Sequence, residues 1–198
     1  MPYVKPVITN PYFERPVWFE EEVTRKEFIG LSADSTIEDV ELFLILLFGY
    51  NGIDPNHPFK ESFNEILKEE SVAISGGIAF FEDENKFILP SCCCGLEDWA
   101  DLEESVVNWS SPWLGHDPSP GIIYQSECLI VWSDEPNENN KNLISIQFTY
   151  EEMLEGLKGM NTDLKGFIQQ PLFHWIKVRD VDIADRMSEK MIQWFFKN

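Results

Sequence analysis

Apolar positions along the chain change period more than once, and the changes divide it into helical and strand regions. Val40, Leu42, Phe43, Leu44, Ile45, Leu46, Leu47 and Phe48 are apolar on nearly every side of a helical wheel. That predicts a helix buried on most faces and ended by Gly49 or Gly52. Ser35-Thr36-Ile37-Glu38 ahead of it has capping-box spacing, with Ser35 serving the third amide and Glu38 reaching back. After a loop at Asp54–Pro58, Phe59, Phe63, Ile66 and Leu67 recur at i, i+4, i+7 and i+8, a second amphipathic helix ending near Glu70.

Beyond Ser71 the pattern turns to strands. Val72–Ser75 and Ile78–Phe81 flank Gly76-Gly77, and Glu82–Asn85 precedes Lys86–Leu89, which predicts hairpins closed by Pro90. Leu96, Trp99, Leu102 and Val106 predict a helix over about 96–109, with Glu97 and Asp98 favourably placed at its N-terminal dipole. A Pro-rich loop follows over 110–121. Strands are then expected at 121–124 and 128–132, a polar loop at 135–142 and an alternating strand at 143–150. Helices over 150–159, 161–177 and 181–197 finish the chain. The order predicts an α+β fold: a central antiparallel sheet over about 72–150 flanked by N-terminal and C-terminal helices. Residues 1–30, rich in Pro and aromatics, read as an extended arm, able to form strand and packed onto the body of a single domain spanning 1–198.

Composition narrows the function classes. With 198 residues, 43% of them hydrophobic and 14% aromatic, the chain can bury a sizeable core, which disordered chains of high charge cannot. The formal net charge is −20, and residues 87–140 contain ten acids and no Lys or Arg. Such a field repels nucleic acid and anionic membranes and attracts basic proteins or cations. The longest apolar run, 42–48, is far short of the ~20 residues needed to span a bilayer. The first residues lack an apolar signal core, and adjacent cysteines do not suggest a disulfide framework. The expectation is a cytoplasmic protein with reduced thiols.

The special chemistry is concentrated in one stretch. Cys92-Cys93-Cys94, His116 and three of seven tryptophans (Trp99, Trp109, Trp113) fall between 92 and 116. Cys and His are zinc ligands, but structural sites space paired cysteines by two to four residues, and neighbours in an extended chain point to opposite faces. On that geometry only Cys92 and Cys94 converge, with Cys128 across from them, so no metal and no cofactor is expected. A thiol reading takes Cys94 at a helix N-terminus as nucleophile, His116 as base and Asp117 as its orienter. Glu97, Asp98 and Asp101 oppose ionisation of that thiol, so no catalytic residue is assigned. A small Cys/His hydrolase or metalloenzyme centred on Cys94 and His116 is the alternative. His174, between Phe173 and Trp175, reads as a packed histidine with a hydrogen-bond partner. Pro112, Pro118 and Pro120 stiffen the 109–120 loop and its tryptophans offer low-entropy contact area. There is no Gly-rich phosphate loop, serine elbow or HExxH.

The segments Leu89-Pro-Ser-Cys-Cys-Cys-Gly-Leu-Glu-Asp-Trp99 and Pro112-Trp-Leu-Gly-His-Asp-Pro-Ser-Pro120, followed by Ile130-Val-Trp-Ser-Asp134, resemble an uncharacterised family of stand-alone bacterial cytoplasmic proteins. In size and acidity the chain is loosely similar to immunity proteins that neutralise polymorphic toxins. No catalytic residues come with either likeness. The expected function is capture of a basic protein partner, a toxin domain being one such partner. The binding residues would be Trp99, Trp109, Trp113, His116, Asp117, Glu97, Asp98 and Asp101.

Overall fold

The all-round apolar run forms α1 (Ile37–Tyr50), in which every residue from Leu42 to Phe48 is buried. Its capping box lies one residue later than expected. The Thr36 hydroxyl accepts from the Asp39 amide at 3.2 Å and the Asp39 carboxylate accepts from the Thr36 amide at 2.9 Å. Ser35 is instead committed to a turn, its hydroxyl accepting from the Ser32 amide and donating to the Gly30 carbonyl. Glu38 accepts from the Thr24 amide and pairs with Lys26 at 3.4 Å.

The computed structural model describes residues 1–20, 22–135 and 143–196. Its architecture is α+β, and the expected central sheet is resolved into two antiparallel sheets. The first is ordered β2-β1-β3-β4, from β1 (Tyr3–Thr9), β2 (Phe28–Gly30), β3 (Gly76–Phe81) and β4 (Phe87–Ile88). The second runs β5 (Gly121–Tyr124), β6 (Cys128–Trp132), β7 (Ser145–Thr149). Helices α2 (Phe59–Ile66), α3 (Trp99–Val107), α4 (Tyr150–Phe167), α5 (Phe173–Lys177) and α6 (Val181–Phe195) complete it. Phe80 of one sheet meets Phe148 of the other at 6.2 Å between ring centroids, within one continuous core.

Two expectations are corrected here and one is sharpened. The arm over residues 1–30 does form strand and pack onto the body, and within it β1 is an inner strand, paired with β2 on one side and β3 on the other. Gly76 and Gly77 are not a hairpin turn but the first residues of β3, opposite Ile8 and Val7. A Cβ at Gly76 would fall on the Val7 carbonyl, so glycine is what lets the N-terminal strand approach. The helix expected to break at 160 runs unbroken to Phe167, because Leu157, Met160, Leu164 and Phe167 continue one buried stripe. It then passes through a wide turn at Ile168–Leu172 that accommodates Pro171. Gly156 allows α4 to rest on β1, since a Cβ there would come 2.8 Å from Val4 Cγ2. From residue 136 onward the polar loop expected at 135–142 lies outside the described residues. Among the described residues, no helix is long and apolar enough to cross a membrane.

The glycines give a paired test. Gly76→Ala should lower stability by about 1–3 kcal/mol through overpacking against backbone. Gly159→Ala, on exposed α4 surface where a Cβ meets nothing within 4 Å, should raise it by about 0.5–1 kcal/mol. Urea denaturation of the two variants reads both signs.

Candidate functional site

The segment after β4 is held from two sides. On one side the Gly76 amide donates to Cys94 O at 3.2 Å and the Leu96 amide to Ile74 O at 3.0 Å. On the other, the Ser91 amide donates to Leu114 O at 3.1 Å and the His116 amide to Cys92 O at 3.4 Å. Gly115, at φ 93°, makes the second approach feasible: a Cβ there would lie 2.6 Å from Cys92 O. The Ser91 hydroxyl adds a bond to His116 O at 2.7 Å. The Cys-rich turn and the tryptophan loop are thus zipped together by backbone.

This zipping brings Cys92, Cys93 and His116 into one exposed cluster. Cys92 Sγ is 3.1 Å from His116 Nδ1, Cys93 Sγ is 3.5 Å from Nε2, and Asp117 Oδ2 is 3.4 Å from Nδ1. The expectation that only Cys92 and Cys94 converge is corrected. Ser91 O accepts from the Cys94 amide at 3.3 Å, closing a turn in which Cys93 has φ 67°. A residue in that left-handed conformation breaks the alternation of an extended chain, so neighbouring sulfurs reach one side. Cys128 stands apart on β6, its sulfur facing Gln125 Oε1 at 3.4 Å.

Cys94 is turned the other way, 4.0 Å from Trp113 O. Its thiol is pushed up to about 11 by burial first, then by Asp98, Cys93, Cys92 and Glu97. Neither His116 nitrogen contacts it; both face Cys92 and Cys93. A nucleophile needs a lowered pKa or an adjacent base, and Cys94 has a raised pKa and no base contact. Cys93 is also held above the ordinary thiol range, by desolvation, Cys92 and the Asp117 charge.

Beside Cys94 a cleft of about 190 Å³ opens between α3 and the loop, lined by Asp98, Asp101, Leu102, Pro112 and Trp113, with Trp99 among its walls. Trp113 is 66% exposed and stands edge-on to His116, ring centroids 5.9 Å apart. Trp99 is 5% exposed, and its indole N–H donates to Phe195 O at 2.7 Å, pinning α3 to the C-terminal helix. Glu97 is half-buried and turned inward: its carboxylate accepts from the Ile74 amide at 3.2 Å, and burial raises its pKa.

Trp109 ends α3 in a conformation usually left to glycine. At φ 54° it donates its amide to Val106 O while the Ser110 amide reaches Ser105 O, the pairing of a Schellman cap. The ring gives a reason for the choice: it stacks on Tyr150 at 5.2 Å and on Tyr124 at 6.2 Å. The Tyr124 hydroxyl donates to Ser110 O at 2.8 Å, and burial pushes its pKa up to about 12. Cys93, Trp109 and Asp117 are three of the four non-glycine residues at positive φ among the described residues. Backbone strain of this kind gathers where surroundings over-determine a functional shape.

No family model, curated protein or solved structure matches the chain.

The eight expected binding residues therefore divide. Asp98, Asp101 and Trp113 share the cleft with Trp99 beneath them, and His116 and Asp117 belong to the thiol cluster. Trp109 lies in a separate aromatic stack, and Glu97 supports the backbone ahead of β3. Sequence reasoning weighed the cysteine run with His116 as zinc ligands and set it aside on spacing, and it passed over Ser91 and Gly115 as partners of the His116 segment. A glycine beside the histidine was the available signal, since glycine often marks a close backbone approach. His174 is exposed rather than packed, its Nδ1 2.7 Å from Gln170 O.

Cys94 carries the prediction here. In reduced protein held in a chelator it should have about a hundredfold less thiolate at neutral pH than an ordinary cysteine. Iodoacetamide labelling followed by mass spectrometry should show its rate rising only toward pH 11. A labelling inflection below the ordinary thiol range would restore the nucleophile reading.

Proposed function

We propose that the chain is a recognition protein that captures a basic protein partner, seating one of the partner's cationic side chains in the cleft beside Trp113. The cleft is the observation that carries this reading. It joins an exposed indole, a prolyl ring and an apolar floor to the carboxylates of Asp98 and Asp101. At about 190 Å³ it is smaller than the ~300 Å³ and upward of small-molecule sites, and it suits one protruding side chain. A Lys or Arg stem packs on the ring while its charge meets the acids, an arrangement worth about 0.5–2 kcal/mol for the cation–π contact alone.

The surrounding charge supports the same reading. With no Lys or Arg between 87 and 140, approach of a cationic surface meets no local repulsion, and nucleic acid and anionic membranes are disfavoured. The four free cysteines suit a reducing compartment such as the cytoplasm. The chain's size and acidity, loosely similar to those of immunity proteins, favour an immunity role in which the partner is a toxin domain.

An arginine-rich peptide, followed by stopped-flow tryptophan fluorescence, separates the cleft from diffuse charge. The on-rate should fall on the order of tenfold between about 50 and 500 mM salt. Trp113→Ala should weaken binding about tenfold or more while leaving that salt dependence intact, because it removes an anchor and no charge. Binding indifferent to Trp113→Ala, or an on-rate flat with salt, would contradict the proposal.

A further inference from the structure

We propose that Cys92, Cys93 and His116 form a zinc(II) site that clamps the tryptophan loop onto the 91–94 turn. Their ligand atoms, one from each residue, all lie within 4.8 Å of one another; Cys92 Sγ is 3.1 Å from His116 Nδ1, and Cys93 Sγ is 3.5 Å from the other ring nitrogen, Nε2. Tetrahedral zinc, with Zn–S about 2.3 Å and Zn–N about 2.0 Å, sets its ligand atoms roughly 3.3–3.8 Å apart. The imidazole binds the ion through one nitrogen, so closing the site needs side-chain rotation that brings both sulfurs to that nitrogen and draws the spread of up to 4.8 Å in to this spacing.

The donor set selects the class of ion. Two sulfurs and an imidazole suit zinc, whereas calcium and magnesium require oxygen ligands. Asp117 lies 3.4 Å from His116 Nδ1 but outside the three-residue group, so a water molecule would take the fourth position. Cys92, Cys93 and Asp117 also line a depression of about 610 Å³, through which an ion and its water can enter. The backbone around the ligands is prearranged by the Cys92–His116 bridge and by the Ser91 hydroxyl on His116 O. Such outer partners orient metal ligands. Binding replaces two S–H bonds by two Zn–S bonds and releases two protons to water, with no change of oxidation state. The ion would link side chains on both zipped segments and so stiffen the loop that presents Trp113. Zinc uptake does not depend on any partner, so it succeeds or fails separately from basic-partner capture.

The test is a cobalt(II) titration of the reduced, chelator-treated full-length chain, followed by zinc. One cobalt per chain should bind with a thiolate-to-cobalt charge-transfer band and the visible bands of a tetrahedral ion, and one equivalent of zinc should displace it. Cys92→Ser combined with Cys93→Ser should abolish the band. His116→Ala should weaken zinc binding by at least the ~10–100-fold that loss of an outer partner costs. Cys94→Ser and Cys128→Ser should leave both readouts unchanged. The three ligands are exposed, so far-UV circular dichroism of the variants should match the parent. Three outcomes each overturn the site: no stoichiometric charge-transfer band, a band that survives the double serine variant, or one lost with Cys94.

Discussion

The close approach of two backbones at Gly115 holds the candidate site together. Without a side chain there, Leu114 and His116 can bond to Ser91 and Cys92 across a gap that a Cβ would fill. From this contact follow the convergence of two sulfurs on one imidazole, the outward stance of Trp113 and the wall of the cleft. It also bears on the strain nearby. Each non-glycine residue in the left-handed region costs about 1–2 kcal/mol, and each net hydrogen bond returns about 1 kcal/mol. The bonds that join 91–94 to 74–76 and 114–116 are numerous enough to offset Cys93 and Asp117. The shape is maintained by its connections and not by local preference.

On that frame, charge and aromatic surface take different parts. The acidic field of residues 87–140 acts over a screening length of about 8 Å at physiological salt, and in the proposed recognition it would govern encounter with a cationic surface. Under the same proposal Trp113 would act only on contact, where a large rigid ring returns binding energy at little entropic cost. Asp98 and Asp101 belong to both regimes: they add to the field and they line the cleft. Trp99 fixes α3 against the C-terminal helix through its bond to Phe195 O, so Asp101 on α3 and Asp98 at its N-terminal end stand on a firm base.

Periodicity made much of the fold legible and little of the site. The buried α1, the strands at 121–124 and 128–132 and the α+β class follow from apolar spacing, because burial of a repeating face decides those elements. The inner place of β1 was hidden because β3 is far along the chain, and Gly76-Gly77 looked like a turn although the close approach of Val7 is what requires glycine there. The capping register moved by one residue because Ser35 and Glu38 had stronger tertiary claims on them. At the site, the spacing rule for cysteines assumed extended backbone, and a single left-handed residue, Cys93, removed that assumption. Trp99 and Trp109 read as contacts by type, yet one is buried against the C-terminal helix and the other stacks on two tyrosines. Residue type pointed to the right stretch of chain; long-range backbone pairing assigned the roles within it.

The central claim is that a partner's cationic side chain enters the cleft at Trp113, and indole amide NMR tests it most directly. On titration of the ¹⁵N-labelled protein with an arginine-rich peptide, the Trp113 Nε1–H resonance should shift progressively. The Trp109 and Trp194 resonances should remain where they were. Shifts confined to Trp109, or none at any indole at saturating peptide, would place recognition elsewhere and contradict the account.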